Sequence, residues 1–184
     1  MPELAQKNQP KRPKRKRKKS DTGHVGAAGE HYVLFRLHRQ EMLSAPAPRG
    51  YKAVDLIVLN PDRSVAASLQ VKTRTKGRDG GWHMGEKHET LVLPGLFYCF
   101  VDFEPEVPVT YVVPSKVVAE VVARAHRAWL AIPGKRGQPH KDSEFRRVQP
   151  SYGYPVPGYE AGWMEKYREN WALLQTTGIV ASAA

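Results

Sequence analysis

Residues 53–73 read AVDLIVLNPDRSVAASLQVKT, and the reading of this stretch decides the fold. Two apolar runs, Ala53 to Leu59 and Val65 to Thr73, flank Asn60, Pro61, Asp62, Arg63 and Ser64. Pro presets φ, and Asn, Asp and Ser bond their own nearby backbone, so the middle is turn chemistry and the whole predicts a β-hairpin. Its polar residues are out of place. Asp55 interrupts the first run, and Gln70 and Lys72 interrupt the second. An isolated charge in a buried strand is costly unless it is paired, metal-bound or at the rim of a cleft.

Strand periodicity gives these residues a shared location. Gln70 and Lys72 are two apart, so their side chains leave one face, one pleat from each other. If the hairpin closes through a four-residue loop, Pro61 to Ser64, then Asn60 opposes Val65 and Asp55 opposes Gln70. Opposed residues share a face, and the three side chains converge. One more loop residue would set Asp55 against Leu69 and turn it to the other face. The expected convergence is therefore a statement about register.

Upstream, His24 to about Met42 predicts a helix, with Tyr32, Val33, Leu34 and Leu37 on one face and Arg36, Arg39 and Gln40 on another. Its first turns hold Gly26, Ala27, Ala28 and Gly29, followed by Glu30. A helical glycine costs about 1 kcal/mol against alanine, so two of them predict close approach of another backbone. Pro46 and Pro48 end the helical region. Downstream, Gly77, Gly80 and Gly81 open a polar segment to about Glu89, expected to be a mobile loop. Strands follow at Leu96 to Phe103 and Val109 to Val113. Pro114 and a capping Ser115 then introduce a helix striped by Val117, Val118, Val121, Val122 and Ala125.

Residues 133–158 are expected to be loop. A last helix from about Tyr159 to Leu174 would dock Trp163, Tyr167, Trp171 and Leu174 on the body. The order predicts an α/β fold, a mixed central sheet flanked by helices with an added C-terminal helix. It divides into a basic tail at 1–22, a core at 23–130, and 131–184 packed on that core.

A chain of 184 residues with 41% hydrophobic residues suits one buried domain. The single cysteine, Cys99, excludes a disulfide scaffold and fits a reducing compartment. No apolar run nears the ~20 residues of a membrane span, so an intracellular, soluble protein without a membrane partner is expected. Residues 1–20 carry nine Lys and Arg against Glu3 alone, so +8 of the formal +11 lies there and +3 elsewhere. With three prolines and no aromatic residue, this tail is expected to be disordered. Its run Lys14, Arg15, Lys16, Arg17, Lys18, Lys19 attracts any polyanion through counterion release, and points to nucleic acid in a nucleoid or a nucleus.

Asp55 and Glu30 as carboxylates, with the Gln70 amide oxygen, form a hard-oxygen set suited to Mg²⁺ or Mn²⁺. Such an ion lowers the pKa of a bound water and stabilises charge on a phosphoryl group, while Lys72 orients or deprotonates that water. These are parts for metal-assisted phosphodiester hydrolysis. Thr73, Arg74 and Lys76 continue the strand where a phosphate backbone would pass. Trp82, His83, Lys87 and His88 are candidates to contact nucleic acid or to close over the site. His83 and His88 lack a cysteine pair and do not read as a zinc site.

Glu30 preceded by GAAG on a helix, then Asp55, then Gln70-Val71-Lys72 on the next strand, resembles the PD-(D/E)XK nuclease superfamily, the restriction-endonuclease-like fold. The resemblance spans roughly residues 23–126, with Gln70 where the superfamily more often has a carboxylate. It implies metal ligation by Asp55, Gln70 and the Val71 carbonyl, with Glu30 acting through metal-bound water and Lys72 positioning the nucleophile. It further implies a Mg²⁺-dependent endonuclease on DNA; Gln70 in place of a charged ligand weakens metal binding and points to one-metal chemistry, and because one site cuts one strand, double-strand cleavage would call for a homodimer. The residues do not separate DNA from RNA. A reading of another class is a non-catalytic nucleic-acid-binding protein working through the basic tail.

Overall fold

The fold is built around β5 (Leu96–Asp102), whose seven residues are all buried. A strand that is apolar on both sides belongs inside a sheet covered on both faces. The computed structural model, which describes residues 23–48, 50, 51, 53–75 and 80–175, places it there. The five-stranded sheet runs β1 (Ser44–Pro46), β2 (Leu56–Leu59), β3 (Val65–Arg74), β5, β6 (Val109–Pro114). Strands β3 and β5 are parallel and every other neighbouring pair is antiparallel. The basic tail, with Lys14 to Lys19, and Lys76 lie outside the described residues.

Two helices cover the sheet. Helix α1 (Gly23–Arg39) buries Val33 and Leu37 against Leu69, Val71, Cys99 and Val101. Helix α2 (Ser115–Ala131) buries Val118, Val121 and Val122 on the opposite face, with Tyr98, Phe100 and Val113. Each large side chain so buried is worth about 1.5–3 kcal/mol of transfer free energy. No described helix is long and apolar enough to cross a membrane.

Parallel strands need a crossover. Between β3 and β5 that crossover carries β4 (Trp82–Gly85) and a 3-10 turn at Glu86–Glu89. It lies on the α2 side, where Trp82 and Met84 join the core. Strand β4 pairs with β7 (Phe145–Val148) as a separate two-stranded ribbon. The segment expected to be a mobile loop is thus in part a buried strand, with Trp82 only 1% exposed. Its indole N–H donates to the Val101 carbonyl at 2.9 Å, so Trp82 is core and not a nucleic-acid contact.

Other expectations are corrected. The first hairpin strand begins at Leu56 and not at Ala53, which sits in the left-handed region at φ 67°. Edge strand β1 lies where Pro46 was read as ending the helical region, and ribbon strand β7 falls in the segment read as loop. Ser115 does not cap α2; its hydroxyl donates to the Leu93 carbonyl at 3.1 Å instead. The C-terminal helix is absent among the described residues: Glu165–Tyr167 and Trp171–Leu174 are short 3-10 turns. Left-handed residues at Gly162 (φ 86°) and Glu169 (φ 51°) break the helical path. The expected docking holds all the same, since Tyr167, Trp171 and Leu174 are buried against the body.

Candidate active site

The hairpin register positions the site. Leu59 pairs with Val65, which leaves five loop residues, one more than the reading assumed. The register then shifts by one between Val58 and Leu59, so Leu56 opposes Leu69 as a four-residue loop would have required. Asp55 lies just beyond the ladder and is tied to β3 twice. Its N–H donates to the Leu69 carbonyl at 2.8 Å, and its Oδ2 accepts the Val71 N–H at 2.7 Å. These two bonds bracket Gln70 along the edge of β3.

Gln70 and Lys72 leave the α2 face, beside their β5 partners Tyr98 and Phe100. Gln70 is 6% exposed, and its Oε1 has no hydrogen-bond partner among the described residues. The Val71 carbonyl faces the same side as its N–H, toward Asp55, because a strand residue presents both groups to one neighbour. Lys72 is half-buried. Burial lowers its pKa below the ordinary lysine range; Asp55 and Glu30 pull the other way and Lys87 adds to the lowering.

Glu30 comes from α1, largely open to solvent at the rim. Partial burial of its carboxyl and then the Asp55 charge raise its pKa, opposed by His31 and Lys72. Gly29 allows the helix this position: a Cβ there would lie 1.8 Å from Thr73 Oγ1. The close approach expected of the glycines is thus real at Gly29, with a side chain as neighbour, whereas Gly26 has nothing within 4 Å.

The crossover supplies the wall. His88 is buried, and its Nδ1 lies 2.7 Å from the Tyr98 hydroxyl. Burial, followed by the positive charges of Lys72 and Lys87, pushes its pKa down to about 4. The sequence offered His88 to contact nucleic acid or to close over the site, and the fold buries it beside Tyr98 as a neutral ring. Nothing in its flanking residues distinguished these roles. Lys87 is exposed on the same turn and acts electrostatically on Lys72.

Two further candidates are placed differently from their reading. Thr73 faces α1, with its hydroxyl buried against Gly29 and without a hydrogen-bond partner among the described residues. Arg74 is fastened by Asp102 at 2.5 Å and by the Gly80 carbonyl at 2.7 Å, with its guanidinium 4.5 Å from the Trp82 ring centroid. Neither is presented to a passing phosphate. Cys99 is fully buried, and burial raises its thiol pKa, which excludes it as a nucleophile.

Among the described residues, no group of three or more His, Cys, Asp and Glu side chains is placed to hold a metal ion. The cluster at hand has two carboxylates, Glu30 and Asp55, with an amide and a carbonyl oxygen beside them. No family model matches the chain, and no curated protein matches it. Among solved structures, the bacterial homing endonuclease I-Ssp6803I matches at 16% sequence identity and a TM-score of 0.48, over 85% of this chain and 94% of that one. A likeness of that size concerns the path of the chain and says nothing of shared side chains.

Proposed function

We propose that the chain is a metal-dependent, endonuclease-like protein that hydrolyses DNA phosphodiester bonds at Glu30, Asp55, Gln70 and Lys72. The observation that carries the reading is the buried, unpartnered Oε1 of Gln70, on the residue between Leu69 and Val71 that both bond Asp55. An unsatisfied buried acceptor costs on the order of 1–3 kcal/mol. A hard divalent cation takes such oxygens as ligands. Asp55, Gln70 and the Val71 carbonyl would hold Mg²⁺ or Mn²⁺, with Glu30 reaching it through water. When bound, the ion would lower the pKa of a water molecule and stabilise charge on the phosphoryl oxygens.

The chain's own groups support the rest. The Val71 N–H holds the Asp55 carboxylate in one orientation. The raised pKa of Glu30 makes its carboxylate a better acceptor for a proton from water. The Lys72 ammonium, whose charge Asp55 and Glu30 favour, would offset charge on the scissile phosphate and orient the nucleophile.

Plasmid nicking with Mg²⁺ or Mn²⁺ tests the reading. The parent chain should cut, and Asp55→Ala and Lys72→Ala should each lose about a hundredfold or more. Plasmid, linear, branched and single-stranded DNA all left intact by the parent, or variants as active as the parent, would sink it. The binding-only reading is favoured by Gln70 standing in place of a carboxylate. It requires DNA affinity that is unchanged in Asp55→Ala and lost without residues 1–20.

A further inference from the structure

A hydrogen bond sits inside the core beside the candidate site. Tyr98 on β5 is fully buried in the cluster that holds Trp82, Phe100 and Val113. Its hydroxyl lies 2.7 Å from Nδ1 of His88, a residue only 3% exposed. Apolar side chains of similar volume would fill the same space with no polar group to satisfy. Tyr98 is also the register neighbour of Gln70 across the parallel β3–β5 ladder, on the same face of the sheet. Adjacent strands lie about 4.8 Å apart, so a buried hydroxyl and the buried, unpartnered Oε1 of Gln70 belong to side-by-side residues. They are not bonded to each other.

The proton inventory gives a reason. Burial raises the Tyr98 pKa, so the phenol stays protonated and has one hydrogen to donate. Burial keeps the His88 ring neutral, with one nitrogen that donates and one that accepts. With Nδ1 as the acceptor, a single bond satisfies both groups. With the ring hydrogen on Nδ1, the phenolic hydrogen has no partner at hydrogen-bond distance among the described residues.

We propose that His88 Nδ1 takes the Tyr98 hydroxyl hydrogen and so keeps it from Gln70 Oε1, the oxygen that the proposed function gives to a divalent cation. His88 is in this role a positioning residue, touching neither the ion nor the DNA. The inference rests on the proposed function in taking Gln70 as a ligand. Loss of the imidazole then harms the site through a hydroxyl that remains, and loss of that hydroxyl as well repairs the damage.

The test uses the full chain with Mn²⁺ as the probe, free ion being followed by electron paramagnetic resonance. His88→Leu should bind Mn²⁺ about tenfold more weakly than the parent. Tyr98→Phe and the double variant should bind as the parent does. So should His88→Asn, whose Oδ1 can accept the hydroxyl hydrogen in place of Nδ1. A bond with a merely structural role would leave the double variant at least as weak as His88→Leu, and that result overturns the proposal. Should His88→Leu not fold, His88→Phe keeps a ring in the same space and replaces it. A second readout needs no metal. In EDTA the ¹³C signal of the Gln70 side-chain carbonyl should move downfield in His88→Leu, as Oε1 gains the hydroxyl, and return in the double variant. Long-range ¹H–¹⁵N spectra of the parent should show the His88 hydrogen on Nε2. A hydrogen on Nδ1, or a Gln70 signal that does not move, overturns the proposal. The expected spectra from a parent that takes up no Mn²⁺ support the role of His88 and overturn the metal reading.

Discussion

Gln70 withholds one negative charge from a cluster that already holds Asp55 and Glu30. Gln70→Glu restores it at a position only 6% exposed. Without metal, the added carboxylate faces burial and two like charges, answered in part by Lys72, and stability should fall by roughly 1–3 kcal/mol. With Mn²⁺ the same charge becomes a ligand, so the metal-induced rise in Tm should exceed that of the parent. Melting curves in EDTA and in Mn²⁺ measure both; an identical rise in the two proteins would mean that position 70 does not face the ion. His88 makes a separate prediction about pH. Its pKa is near 4 folded against 6.5 for the ordinary group, so between these values the unfolded chain holds the extra proton. Stability contributed by this site therefore falls as pH drops from about 6.5 toward 4 and is unaffected above that window. His88→Gln should flatten that part of the Tm profile, whereas an unchanged slope would place the titration elsewhere.

The helix α1 and strand β3 meet through one position that tolerates no side-chain atom. In Gly29→Ala the new Cβ would lie 1.8 Å from Thr73 Oγ1 and 3.0 Å from Thr73 Cβ. The helix must shift, at a cost of about 1–3 kcal/mol, and Glu30 moves with it. Thr73→Ala removes the nearest atom and leaves the 3.0 Å contact, so the double variant should recover stability and cleavage in part. Additive losses in urea denaturation would show that the two residues do not meet. The glycines of this helix were informative in the sequence because their helix cost is intrinsic; their neighbour was not, since Thr73 lies in another element. The position of Asp55 against Leu69 and Val71 was legible for a similar reason: strand pairing follows from local period 2, and the turn residues bound the loop length to within one. The register shift at Val58 that compensates for the longer loop had no local signal. Nor did the ribbon, because β4 and β7 are four residues each and lie sixty residues apart in the chain, with polar His83, Arg146 and Arg147 within them. The spacing of Trp163, Tyr167, Trp171 and Leu174 reported burial correctly for all but the partly buried Trp163, and helix wrongly. Two positive-φ residues, Gly162 and Glu169, redirect the backbone while its rings still reach the core.

Over the whole molecule, charge and candidate chemistry are separated along the chain. Residues 1–20 hold +8 of the +11, whereas Glu30, Asp55, Gln70 and Lys72 lie within the folded part. Non-specific attraction to DNA scales with the number of phosphates neutralised, and each adds about −0.9 to the slope of log affinity against log salt. Deleting residues 1–20 should therefore make that slope several units shallower and cost the largest factor in affinity at low salt, where counterion release by the removed cations contributes most. At low salt the truncated chain should still nick plasmid, because no group proposed to touch the reacting phosphate has been removed. The same deletion in Asp55→Ala should bind as the truncated parent binds and cut nothing. Should the truncated chain lose cleavage at every salt concentration while Asp55→Ala keeps full-length affinity, the basic segment would be the working part and the hairpin cluster a structural one. A slope that stays the same after deletion would instead place the phosphate contacts on the folded surface, where Lys87 and Arg147 become the residues to substitute next.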